Sequence, residues 1–295
     1  MVKPRGWLEW NTEQAREWIA IPGAEDDKYS RGVLGMQTGS KDYPGSAVLG
    51  VEGAVRTGVG MVRYLGPRLA TSLVLQRRPE VVTMPGRVQA WLLGSGINAA
   101  SRTDSVRAAL DAALAEGLPT LCDAGALDRV GPARVDGALH GPVVITPHYR
   151  ELAGLLKDRP GSRQVSATQI AASPAEWATR AADLLGVTVL LKGGVTRIAS
   201  PAGARLMVSA GPSWLATAGT GDVLGGILGA LMATNSARIT ADADALAALA
   251  ATAALIHARA ADVAAAGGPI AALDVAEAVP VVMRALFTPT VEGRH

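Results

Sequence analysis

The chain has 295 residues, 49% hydrophobic and 18% charged, a composition too apolar for disorder. Lys and Arg number 28 against 26 Asp and Glu; with a net charge of +2, no basic block and a single Phe, neither a phosphate backbone nor stacked bases find a binding surface, so no nucleic-acid partner is expected. The single Cys122 excludes an intrachain disulfide and a thiolate metal cluster, which fits a reducing, cytoplasmic setting.

The N-terminal stretch is punctuated by charges and has no apolar export signal. Residues 1–27 read as an extension with a helix at 13–20, capped by an Asn11/Gln14 capping box. Apolar runs predict strands at 33–37, 61–65, 81–84, 91–93, 120–122, 143–146, 187–191, 197–200 and 206–209. Helices are expected at 45–57, 102–116, 149–156, 174–185, 221–233, 241–265 and 271–286. This alternation predicts an α/β fold, a mostly parallel central sheet with helices on both faces. No composition shift divides the chain, so one domain over 1–295 is expected. The alanine-dominated run 245–256 is shorter than the roughly 20 residues that span a bilayer and reads as a buried helix, with no membrane partner.

In such sheets ligands sit beyond the carboxyl ends of the strands, so the loops that follow strands hold the candidates. The small-residue loop Thr38 to Ala47 is either a ligand turn or an ordinary helix start. Gly94-Ser95-Gly96-Ile97-Asn98-Ala99 has the G-x-G-x-x-A spacing of a dinucleotide turn, but no ribose-binding acid ends a following strand; it reads as a tight turn that brings backbone to a ligand. Asp123 is placed to face the same crevice, and Cys122 reads as a small buried hydrophobe. In Thr146-Pro147-His148-Tyr149-Arg150-Glu151, Thr146 as helix cap and Pro147 as first helical residue account for all but His148.

Leu191-Lys192-Gly193-Gly194-Val195-Thr196 admits two readings: a cation beside a nucleotide phosphate with glycines admitting the ligand, or a hairpin with Lys192 in solvent. Gly219-Thr220-Gly221-Asp222 precedes an apolar helix, so backbone N–H groups can face an anion at its positive end. A carboxylate there repels an anion, which suits Asp222 as a base directed at a substrate hydroxyl; the other reading is an Asp favoured in a first helical turn. His140, His257 and His295 show no metal-ligand spacing and read as surface or core residues.

Taken in order, Lys28-Tyr29-Ser30-Arg31-Gly32, Tyr43-Pro44-Gly45-Ser46-Ala47, Gly94-Ser95-Gly96, Cys122-Asp123-Ala124, Thr146-Pro147-His148 with Glu151, Leu191-Lys192-Gly193 and Gly219-Thr220-Gly221-Asp222-Val223-Leu224 resemble the ADP-dependent (S)-NAD(P)H-hydrate dehydratase family of the ribokinase-like superfamily. The resemblance implies a ribokinase-like three-layer α/β/α sandwich. It also implies a repair reaction: the ring hydroxyl of hydrated NADH or NADPH is phosphorylated by ADP, phosphate is eliminated, and AMP is released. By the same resemblance Asp222 is the catalytic base and a substrate ligand. Ala47, Gly96 and His148 contact the hydrated coenzyme, Lys192, Gly193, Gly194, Val195, Thr196 and Gly221 contact the nucleotide, and Gly219, Thr220 and Gly221 form the anion turn. Mg²⁺ accompanying ADP and a homotetramer are implied too. Many members carry an epimerase domain, which the 27 residues before Lys28 cannot hold, so a separate epimerase chain is expected. Gly125 stands where a second acid often follows Asp123-Ala124. The alternative is a ribokinase-like kinase of a small alcohol, of the hydroxymethylpyrimidine or thiazole type, using the same Asp222.

Overall fold

The apolar runs pair into a nine-stranded sheet: β1 (Leu8–Glu9), β2 (Val33–Gln37), β3 (Met61–Tyr64), β4 (Ala90–Leu93), β5 (Thr120–Cys122), β6 (Val143–Ile145), β7 (Thr188–Leu191), β8 (Val195–Ala199) and β9 (Arg205–Ser209), in the order β1-β9-β8-β7-β6-β5-β4-β2-β3. Only β8 runs against its neighbours among the described residues of this computed structural model, which are 6–135, 141–157, 159, 164–209 and 211–287. His140 and His295 lie outside them.

The central strands β2 and β4 to β7 are buried on both faces, which is why they read as continuous apolar runs, whereas the edge strand β1 is exposed. Leu34, Met36, Leu92, Leu121, Val144 and Leu190 face a layer formed by α2 (Gly45–Thr57), α9 (Thr220–Thr234), α11 (Ala245–Ala265) and α12 (Ala272–Phe287), where α1 (Thr12–Arg16) also packs. Val33, Trp91, Leu93, Cys122, Ile145 and Val189 face the other layer, with α4 (Asp104–Ala115), α6 (Tyr149–Leu156) and α8 (Pro174–Leu185). The chain also forms α3 (Arg68–Arg77), α5 (Leu127–Val135), α7 (Ala167–Ala172) and α10 (Ser236–Ala241). The α11 helix is long and apolar enough to cross a membrane by length and composition alone, yet 78% of its apolar window is buried within the protein. Its alanines let α9 and α12 approach closely, as in a buried core helix.

Three expectations need correction. The strand expected at 81–84 makes only a bridge from Val82 to Arg63, because Pro79 and Pro85 flank it and Met84 turns out to solvent. The helix expected at 241–265 starts later: α11 begins after Asp244, whose carboxylate accepts from the Ser200 hydroxyl, and Ala241 instead ends the separate helix α10. The N-terminal helix stops at Arg16, short of residue 20, although its Asn11/Gln14 capping box forms as expected. The segment before it pairs β1 parallel to β9, and the Trp10 indole donates to Thr252 Oγ1 at 3.1 Å.

From β2 the chain moves outward to β3 and then returns past β2 to β4, so the direction of strand order reverses between β2 and β4. A crevice opens at such a reversal, because the flanking connections leave to opposite faces. The first turn of α2, which follows β2, and the loop after β4 carry Ser46, Ala47 and Gly96 to this point.

Candidate active site

Four neighbouring strands converge on Asp123. Directly after β5 and 5% exposed, it accepts hydrogen bonds from Ser95 Oγ (3.1 Å, after β4), Thr146 Oγ1 (2.8 Å, after β6) and Lys192 Nζ (3.0 Å, after β7). Lys192 Nζ also lies 4.0 Å from Glu151 Oε2. Burial works against the lysine charge, but Asp123 and Glu151 outweigh it and hold its pKa above the ordinary value. Of the two readings of this segment, the hairpin forms, since β7 and β8 are antiparallel around Gly193 and Gly194, but Lys192 is not in solvent.

Asp222 enters from the opposite layer, in the first turn of α9. The helix begins at Gly219, whose φ of +90° suits glycine and where a Cβ would come within 2.5 Å of Leu49 Cδ1. No side chain among the described residues caps this N-terminus, and the Thr220 hydroxyl turns back to the carbonyls of Leu215 (3.0 Å) and Thr217 (3.1 Å). The Thr220 and Gly221 N–H groups lie at the positive end of a 15-residue helix, while those of Asp222 (3.1 Å) and Val223 (3.3 Å) donate to the Gly219 carbonyl. The Asp222 carboxylate accepts a short hydrogen bond from Ser46 Oγ. Burial lifts its pKa to about 6, Asp123 adds to the rise, and Ser46 and Lys192 oppose it.

Gly96, at φ +68°, packs against Ser46 so closely that a Cβ would overlap the serine side chain. Ala47 is fully buried beside Gly39. His148 is half-exposed and is itself the cap of α6: its Nδ1 accepts from the Glu151 N–H (3.2 Å), and Glu151 Oε2 accepts from the His148 N–H (2.8 Å). This corrects the assignment of the cap to Thr146, whose hydroxyl is committed to Asp123 instead. At Gly125 a Cβ would strike the Ile97 carbonyl, so no acid fits there. Cys122 is fully buried and burial pushes its thiol up, as expected of a small hydrophobe.

Two cavities flank this centre. One, of about 380 Å³, is lined by Lys192, Gly193, Gly194, Thr196, Thr220 and Gly221, with Leu224, Ala254 and His257 behind them; Val195, although next to Thr196, is not in its wall. The other, of about 580 Å³, lies between residues 37–42, on the loop that leads to Ser46, and 97–106, just beyond Gly96. Both fall within the usual range of small-molecule sites. The structure thus brings Asp222, Lys192 and the turn glycines together, with His148 joined to Lys192 by a backbone bridge. Sequence reasoning missed Ser46, Ser95 and His257. Ser46 could have been suspected from its place in a strand-to-helix loop of small residues, whereas the other two depend on distant neighbours.

The layering of helices on a mostly parallel sheet resembles the fold of a ribokinase-like superfamily protein from Enterococcus faecalis (TM-score 0.77, 21% identity, 96% of this chain and 97% of that one). The chain belongs to the NAD(P)H-hydrate dehydratase family, whose model matches residues 34–280. It is 45% identical over 231 residues to the bifunctional NAD(P)H-hydrate repair enzyme Nnr of Mycobacterium tuberculosis, a match covering 76% of this chain and 45% of that relative. The chain spans about half the length of such relatives. The ADP/ATP-dependent NAD(P)H-hydrate dehydratase of Bacillus subtilis, crystallised with ATP and Mg²⁺, superposes with a TM-score of 0.79 at 26% identity, covering 95% of this chain and 99% of that one.

Proposed function

We propose that this protein dehydrates hydrated NADH or NADPH at the expense of a nucleoside diphosphate. The observation that carries the reading is a buried carboxylate, Asp222, at an uncapped helix N-terminus between a lysine-lined cavity and the crevice at the sheet reversal. ADP occupies the cavity of Lys192, Gly193, Gly194, Thr196 and Gly221, and its β-phosphate meets Lys192 and the turn Gly219 to Gly221. The hydrated nicotinamide ring lies against Ala47, Gly96 and His148.

Asp222 takes the proton of the ring hydroxyl as its oxygen attacks the β-phosphorus, and the bond to AMP breaks. The helix N–H groups and Lys192 stabilise charge on the transferring group. Phosphate then leaves the ring carbon with the bonding electron pair, a proton leaves the adjacent carbon, and the ring double bond is restored. A pKa near 6 suits the base, because the carboxylate is ionised at neutral pH yet more basic than an exposed Asp.

Among the described residues no group of three His, Cys, Asp or Glu gathers to hold a metal. Mg²⁺ would be carried on the nucleotide phosphates, beside the carboxylates of Asp123 and Asp222. Bound so, the cation would neutralise phosphate charge. We further propose a homotetramer, and an epimerase activity that supplies the correct hydrate epimer.

Small-alcohol kinases share the fold and the base, but membership of the dehydratase family favours dehydration. The test is to incubate the protein with hydrated NADH, ADP and Mg²⁺. Recovery of reduced-nicotinamide absorbance, with AMP and phosphate in equal amounts, supports the reading; a stable phosphorylated alcohol without that recovery overturns it.

A further inference from the structure

The α11 helix brings one polar group to the nucleotide cavity that the mechanism does not use. Its buried polar side chains among the described residues are Thr252, which accepts from the Trp10 indole, and His257. His257 is 9% exposed and lines the cavity one turn beyond Ala254, and its Nε2 is fully buried with no hydrogen-bond partner. A buried polar atom left unpaired in this way is costly unless something that enters the cavity pairs with it.

The imidazole is in its neutral form. Burial lowers its pKa to about 4, Lys192 opposes its charge as well, and hydrogen bonding to the Thr220 backbone raises it only in part. A backbone contact that favours protonation is a ring N–H donating to a carbonyl. Nε2 itself has no partner, and with the ring proton on Nδ1, toward the Thr220 backbone, it would present a bare lone pair. Lys192 is a pure donor, and the Thr220 hydroxyl is spent on Leu215 and Thr217. The wall therefore offers one buried, uncommitted acceptor on α11, suited to an N–H or O–H donor.

We propose that His257 Nε2 accepts a hydrogen bond from the nucleoside part of the bound nucleotide, from a ribose hydroxyl or the exocyclic amine of adenine, and so contributes to nucleotide selectivity. The inference rests on the nucleotide reading of this cavity. The two donor sources are separated by analogues: 2′-deoxy-ADP and 3′-deoxy-ADP each lack one hydroxyl, and inosine diphosphate replaces the amine with a carbonyl.

Calorimetric Kd values for ADP and the three analogues are measured on the wild type, His257→Ala and His257→Gln, with thermal melts of the nucleotide-free proteins as a check on folding. His257→Ala is expected to weaken ADP about fivefold to tenfold. One analogue should bind the wild type more weakly by a similar factor and be indifferent to the substitution. Unchanged ADP affinity in His257→Ala, or an equal loss for ADP and every analogue, overturns the proposal. If His257→Ala does not fold, the wild-type series decides: equal affinity for all four nucleotides overturns it, and a single weakened analogue carried through to His257→Gln supports it. A wild type that binds no nucleotide refutes the nucleotide reading itself, an outcome distinct from wild-type binding that ignores His257.

Discussion

One helix, α2, touches two buried carboxylates with opposite fates. Near its N-terminus Ser46 donates to Asp222; at mid-helix Glu52, with its side chain fully buried, is gripped by Arg56 (2.7 Å), Arg78 (2.5 Å) and Arg77 (3.2 Å). Burial raises the pKa of both acids. At Glu52, Arg78 and Arg56 overcome it and bring the value below that of a free Glu, whereas Asp222 has one hydroxyl and a more distant lysine, and stays near 6. Desolvation is common to both; the supply of positive charge decides that one carboxylate is structural and the other basic enough to take a proton.

Substitution of each acid sharpens this contrast. Asp222→Asn should lower kcat by about 10²–10⁴-fold while the calorimetric Kd for ADP holds. The same variant should melt no lower than the wild type. Native Asp222 keeps its proton to about pH 6, whereas the unfolded carboxyl releases it near 3.8, so this group's contribution to stability falls as pH rises between those values. Retained activity in this variant would remove the general-base role.

Glu52→Gln should behave in the opposite way. Losing the charge at the centre of three arginines costs about 3 kcal/mol of folding stability, read as a lower denaturant midpoint, with kcat of the folded fraction preserved. Its folded pKa is depressed, so the stabilisation is present above the unfolded value of 4.5 and is lost as pH falls through the folded one. A kcat loss comparable with that of Asp222→Asn would erase the distinction between the two acids.

The smallest effect expected is on the pH profile. The wild-type kcat/KM should climb with pH through a limb near 6, as Asp222 ionises, and level off above it. Ser46→Ala removes a hydrogen bond that favours the charged form, so its limb should move to higher pH. A limb that stays in place would mean that the serine does not tune the base.

The central parallel strands were legible because burial on both faces makes them continuous apolar runs, and 33–37 and 120–122 match β2 and β5 end to end, whereas the short exposed strand β1 carries no such signal. The helix α3 was missed because its apolar face is weak, with just Ala70 and Val74 buried. The segment 81–84 shows the converse error, since apolar residues between prolines meet the strand pattern without having a ladder to join.

At the site, residue type and the order of strand-following turns sufficed to single out Asp222, Lys192, Asp123 and His148. Which of two physical roles each takes was not encoded locally. His148 is a helix cap because Glu151 lies one turn ahead, and Lys192 is drawn out of solvent because Asp123, 69 positions earlier, ends a strand two places away in the sheet.

The sequence by itself determined the α/β alternation and the chemical identity of the candidate base, because periodicity and turn chemistry act over a few residues, and the order of its motifs carried the family resemblance. Tertiary structure alone decided that Asp222 would be short of positive charge and Glu52 surrounded by it, and that His257 would reach the cavity beside Lys192 with an unpaired nitrogen. Those outcomes depend on desolvation and charge summed over groups far apart in the chain, which only the packed fold brings within range.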